Sequence, residues 1–124
     1  MTSNKKILLV SATAGAGHIR AAEALFSELQ TRHPEITTEH LNLMDYSHPS
    51  LRFAFSTAYN FSIRHSPLLY EITYKLSNNE ISGFFLKLLA SFLRVATGRY
   101  RQKIKDFNPD IIISTYFFST MLLP

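Results

Sequence analysis

The sequence predicts an α/β fold, a parallel sheet with helices on both faces, broken by an inserted helical region rich in aromatics. Three observations carry this prediction. Ile7 to Val10 are a continuous apolar run, as in a parallel strand covered on both faces. From His18 the spacing turns helical, with Ala22, Leu25, Phe26 and Leu29 at i, i+3, i+4 and i+7 and an end before Pro34. Ile36, Thr38, His40 and Asn42 then alternate with Thr37, Glu39, Leu41 and Leu43, a second strand. Strand, helix and strand in that order open a Rossmann-like βαβ unit.

The middle differs in composition. From Pro49 to about Lys105 the chain is rich in aromatics and leucine, with breaks at His65 to Pro67, Ser77 to Glu80, and Thr97 and Gly98. Three or four helices are expected there. After Asn108, Pro109 and Asp110, the run Ile111 to Ser114 predicts another buried strand, and "FFSTMLLP" reads as the start of the next helix. No internal repeat or linker interrupts the 124 residues, which suffice for one domain, 1–124, with a modest core.

Composition excludes several classes of function. The chain has no cysteine, so it has no disulfide, thiolate metal site or thiol nucleophile. His18, His33, His40, His48 and His65 include no i, i+4 pair and no H-E-x-x-H, so no metal site is expected. The apolar "ILLV" is short for the core of a signal peptide, and its neighbours run straight into an amphipathic helix. The longest apolar stretch, "GFFLKLLASFLRVA", carries Lys87 and Arg94 and falls below the roughly 20 residues a bilayer crossing needs. A soluble or peripheral protein is expected. The net charge of +4 admits nucleic acid as a partner, but no recognised motif supports it, and none is expected.

The junction between the first strand and helix reads "SATAGAGHIRAAEAL", residues 11 to 25. Glycines there let backbone approach a ligand, and the helix N-terminus points free N–H groups at the turn. A side chain at Gly17 would block that approach and is expected to demand an unfavourable backbone angle, costing stability as well. As a dinucleotide fingerprint the loop is incomplete: Gly15 and Gly17 fit, but Arg20 occupies the third glycine position, and Asp45 comes later than the usual ~20 residues. No G-K-[ST] follows, so it is not a P-loop. A purely structural turn remains open on these residues alone.

The whole string is more specific. Gly15-x-Gly17-His18-x-x-Ala21-Ala22-x-Ala24-Leu25 after an apolar strand resembles the N-terminal signature of the monogalactosyldiacylglycerol synthase and processive diacylglycerol glucosyltransferase family. The resemblance continues through Asp45, the aromatic helical middle and "FNPDIIIST". It implies the N-terminal part of a GT-B glycosyltransferase that transfers a hexose from a UDP-sugar to diacylglycerol. The N-terminal domain would take the lipid acceptor, and a C-terminal domain absent from this chain would bind the UDP-sugar, a substrate rather than a cofactor. No cofactor is implied, and the chain alone is expected to be inactive. Where the family often has His-Pro after the strand matching "IIIST", this sequence has Tyr116 and Phe117.

The chemistry of His18 agrees with that implication. The helix dipole disfavours its cationic form, and a neutral imidazole can take the proton that an acceptor hydroxyl loses as it attacks an anomeric carbon. The resemblance likewise makes His18 the general base, with Gly15, Ala16 and Gly17 as the acceptor-binding loop. A histidine that only packs on its own helix beside Ala22 is the other reading of the same residue. Asp45 follows the second strand at the same sheet edge, placed to orient His18 or meet the acceptor hydroxyl, or else to cap the next helix. Ser11 and Thr13 offer donors to a polar ligand or to local backbone.

Residues 81–105 carry Lys87, Arg94, Arg99, Arg101, Lys103 and Lys105 with no acid after Ile81. Read as one helix, Lys87, Arg94, Arg101 and Lys105 share a side opposite Phe85, Leu88, Leu89, Phe92 and Ala96. Such a segment suits an anionic membrane surface, each nearby cation adding about 1 kcal/mol, and equally the solvated face of a core helix. The expected location is peripheral, on the cytoplasmic side of the membrane. The different-class alternative is a membrane-peripheral lipid-binding module that does no chemistry.

Overall fold

The computed structural model describes residues 4–13, 16–77, 81–116, 119–120 and 122–124. The chain divides into two compact units, residues 1–47 with 97–124, and residues 48–96. The second unit covers the expected helical region only as far as Ala96; the remainder, 97–105, belongs to the first unit.

In the first unit, strand β1 (Lys6–Ser11), helix α1 (Ala16–Arg32) and strand β2 (Thr37–Asn42) form the expected βαβ opening. Helix α4 (Gly98–Phe107) and strand β3 (Ile111–Ser114) complete the sheet, whose order is β2-β1-β3. Both pairings are parallel, with Leu9 opposite His40 on one side and Ile113 on the other. The connection from β1 to β2 and the one from β2 back past β1 to β3 run in opposite directions along the sheet.

Burial explains the apolar runs. Ile7, Leu8, Leu9 and Val10 are all buried, because β1 is central and covered on both faces. Leu41, Leu43, Met44, Ala22, Tyr100 and Ile104 complete the core of this unit. The Tyr100 hydroxyl donates to the Ser119 carbonyl at 3.3 Å, and burial raises its pKa above the ordinary phenol value. β3 departs from expectation. Rather than buried, Ile111 is exposed and Ile112 to Ser114 half-buried, because among the described residues β3 pairs with β1 alone.

The "NPD" segment has three separate tasks. Asn108 closes α4 in the left-handed conformation (φ 49°), its N–H donating to Ile104 O, and Pro109 cannot continue a helix. Asp110 then locks β3 to the start of β1: its N–H donates to Lys6 O at 2.9 Å and its carboxylate accepts from Lys6 N at 2.8 Å.

The second unit holds helices α2 (Pro49–Ser77) and α3 (Ile81–Ala96). Where the sequence predicts a break at His65 to Pro67, the helix continues through a kink with non-helical angles at His65 (φ −131°, ψ 34°). Pro67 lacks an N–H and crowds the carbonyl four residues back, which bends α2 without ending it. His48 Nδ1 accepts from Ser50 N at 3.2 Å and so caps the start of α2. The expected break at residues 77–80 falls between α2 and α3, and residues 78–80 lie outside the described residues, as do Phe117, Phe118 and Met121 of the expected last helix.

The single helix through residues 81–105 does not exist. α3 ends at Ala96, and buried Thr97, with φ −109° and ψ 15°, separates it from α4. Lys87 and Arg94 consequently belong to one unit, Arg101 and Lys105 to the other. The four share no helical face.

Candidate functional site

The carboxyl edge of the sheet gathers the polar residues. In open α/β sheets ligands bind beyond the carboxyl ends of the strands, where connections diverge to opposite sides. β1 is that point here, since the chain leaves it in one direction to β2 and returns past it to β3 on the other side.

His18 lies in the first turn of α1, half-buried. Its Nδ1 is 2.8 Å from the backbone oxygen of Thr115, the residue after β3. A carbonyl oxygen only accepts, so Nδ1 carries the hydrogen and the lone pair of the neutral ring resides on Nε2. Among the described residues Nε2 has no hydrogen-bond partner. Thr115 Oγ1 donates in the opposite sense, to His18 O at 2.9 Å, and the Tyr116 ring lies 4.7 Å from the imidazole at a tilt of 48°. The imidazole is thus held by its contacts with the end of β3.

Ala16 and Gly17 form the beginning of α1, both exposed, and Gly15 lies outside the described residues. Gly17 differs from expectation. A Cβ built on it meets no atom within 4 Å, and its φ is not in the left-handed region. Neither strain nor crowding requires glycine there, so a side chain at Gly17 would occupy open space beside His18 without disturbing the fold.

Asp45 is exposed on the 3-10 turn Leu43–Tyr46 that follows β2. The turn is capped by Asn42, whose side chain accepts from Met44 N, and α2 by His48, so Asp45 caps neither. It lines an open pocket of about 360 Å³ with Tyr46, Arg99, Gln102, Lys103 and Asp106. The structure brings Ala16 and Gly17 to His18 but gives His18 the Thr115 carbonyl, not Asp45, as its orienting partner.

A second histidine belongs to this edge. Buried Ser11 places Oγ 2.7 Å from His40 Nε2, and Asn42 Nδ2 donates to Thr13 Oγ1 at 2.7 Å. The hydroxyls of Ser11 and Thr13 are therefore engaged across β1 and β2. Burial holds the His40 pKa below its ordinary 6.5, while the Glu23 and Asp45 carboxylates pull it partly back. Unfolded His40 takes up its proton first as pH falls. The linked stability is complete above pH 6.5 and is lost as pH drops from there through the depressed folded value. We expect the thermal midpoint to fall as pH drops below the ordinary 6.5 and to fall less steeply in His40→Gln. Parallel pH curves for the two proteins would remove His40 as a source of the acid loss.

On the second unit, α3 exposes an apolar stripe: Phe84 is 75% exposed, Leu88 60% and Val95 84%, with Phe92 between them. Leu88, Leu89, Ser91, Phe92 and Val95 border a shallow depression of about 570 Å³. Phe85 belongs to the same expected stripe, but its side chain lies outside the described residues. Among the described residues no helix is long and apolar enough to cross a membrane.

Comparison with known proteins adds to this geometry. A family model described as monogalactosyldiacylglycerol (MGDG) synthase matches residues 18–123. The processive diacylglycerol beta-glucosyltransferase of Bacillus pumilus (strain SAFR-032) is 29% identical over 123 residues, which cover 94% of this chain and 29% of that protein. The chain therefore spans less than a third of the length of the curated relative it matches. No solved structure matches the chain significantly.

Proposed function

The chain belongs to the monogalactosyldiacylglycerol synthase family, and from that premise we propose that it is the N-terminal, acceptor-side part of a GT-B glycosyltransferase. The reaction transfers a hexose from a UDP-sugar to the free hydroxyl of diacylglycerol. The observation that carries this reading is the state of His18: Nδ1 is committed to the Thr115 carbonyl, leaving Nε2 as the proton acceptor beside the open space over Gly17. As the acceptor oxygen forms its bond to the anomeric carbon, its proton passes to Nε2. The bond from that carbon to the UDP oxygen breaks with its electron pair leaving on UDP. Asp45 is kept as an acceptor-side contact, Ala16 and Gly17 as the floor of the acceptor site, and the donor is assigned to a C-terminal domain.

Diacylglycerol resides in a bilayer, so the acceptor side has to meet a membrane surface. The exposed apolar stripe of α3, with Lys87 and Arg94 seven residues apart beside it, suits shallow insertion among anionic headgroups. Arg101 and Lys105 on α4 would add long-range attraction. The test is transfer from UDP-glucose or UDP-galactose to diacylglycerol in vesicles by the complete polypeptide that carries this chain. Activity and vesicle binding should rise with phosphatidylglycerol content and fall as salt rises. Binding without transfer from either donor would favour the non-catalytic lipid-binding module. Equal binding to neutral vesicles would remove the role of the cations.

A further inference from the structure

We propose that Thr115 is a positioning residue for His18, acting through its side-chain hydroxyl; this rests on the reading of His18 as the base. Two hydrogen bonds join the same pair of residues in opposite senses, His18 Nδ1 to Thr115 O at 2.8 Å and Thr115 Oγ1 to His18 O at 2.9 Å. The acceptor that selects the useful tautomer is thus a backbone carbonyl just beyond β3. Thr115 N makes the last bond to the sheet, to Val10 O at 3.1 Å, and there the chain leaves the ladder in a bend. Beyond that bond the ladder no longer fixes the Thr115 carbonyl. The hydroxyl ties the end of β3 to the first turn of α1, and Ser114 Oγ, donating to Tyr116 O at 2.7 Å, tightens the same bend.

Loss of the hydroxyl releases one of the two ties. The carbonyl then no longer holds a fixed direction toward Nδ1, and the imidazole samples the tautomer with hydrogen on Nε2, which has no lone pair there to accept a proton. The Tyr116 ring against the imidazole limits tilt but does not choose between the nitrogens. Thr115 touches no reacting atom in this scheme. Its effect is confined to the protonation pattern and aim of His18.

The experiment compares Thr115→Val, which keeps the shape and loses the donor, with Thr115→Ser, which keeps the donor. Long-range proton–nitrogen correlation spectra of protein labelled with 15N-histidine report the tautomer, with His18 assigned by its disappearance in His18→Ala. We expect Thr115→Val to convert His18 from the Nδ1–H form to a mixture. In the complete polypeptide kcat should fall about tenfold, the size of one net hydrogen bond, with KM for diacylglycerol within about twofold. Thr115→Ser should match the parent in both measurements. A parental tautomer and parental kcat in Thr115→Val would overturn the proposal, as would a lower kcat with the tautomer unchanged. If Thr115→Val does not fold, Thr115→Ala carries the same comparison. Near-parental transfer by His18→Ala would instead refute His18 as base, a separate failure, while the tautomer of Thr115→Val would still decide whether Thr115 positions the ring.

Discussion

In the complete polypeptide, on the function proposed above, His18→Ala is expected to lower transfer to diacylglycerol by roughly 10²- to 10⁴-fold, the usual contribution of a positioned general base. The substitution removes Nε2, the ring nitrogen left able to accept a proton while Nδ1 donates to Thr115 O. Binding of the UDP-sugar should change little, because the donor is assigned to another domain. One structural effect has to be separated from the chemical one: without the imidazole the half-buried Thr115 carbonyl loses a partner. His18→Asn separates them, as its amide nitrogen takes the place of Nδ1 and can donate to that carbonyl while offering no basic nitrogen. Both variants should show the large loss, with thermal midpoints near the parent for His18→Asn. Transfer within a few-fold of the parent by a folded His18→Ala protein would make His18 a helix-start residue only.

Leu9→Ala is expected to destabilise the fold by about 2–5 kcal/mol, the range for truncating a fully buried leucine. Leu9 is 0% exposed in the central strand, between His40 on β2 and Ile113 on β3. A cavity there opens beneath both parallel pairings, and a rigid sheet collapses into it poorly. Leu88→Ala is the contrast. That side chain is 60% exposed, so its truncation should change stability within about 0.5 kcal/mol while weakening vesicle binding. Denaturant unfolding measures both. Similar midpoints for Leu9→Ala and the parent would contradict the burial of β1, and a large loss in Leu88→Ala would show that α3 packs where it is exposed here.

Much of the fold was legible because its signals are local. The apolar run of β1, the 3.6-residue spacing of α1 and the alternation of β2 each arise from neighbours within one element, and all three stand where periodicity puts them. The punctuation at Thr97 and at Asn108 to Asp110 was equally readable, since left-handed caps and proline act on their own backbone. The kink at His65 was harder to read. Whether Pro67 ends a helix or bends it depends on what packs alongside, which no short window records. The charges of residues 81–105 misled for a related reason: a helical wheel assumes an unbroken helix, and Thr97 breaks it.

At the candidate site the division follows distance along the chain. The amino-acid sequence by itself determined that a glycine-bearing strand-to-helix junction carries His18, and that Asp45 follows the next strand at the same sheet edge. Only the tertiary structure decided what His18 touches, because its partner Thr115 is 97 residues away and meets it through a backbone carbonyl, a group every residue possesses and no motif can mark. The same holds for Ser11 and His40, brought together by strand register, and for Gly17, whose surroundings and backbone angle do not require glycine. Periodicity can place a residue at an edge. Which atoms meet there is settled by the pairing of β1 with β3 and by the bend that turns the Thr115 carbonyl toward α1.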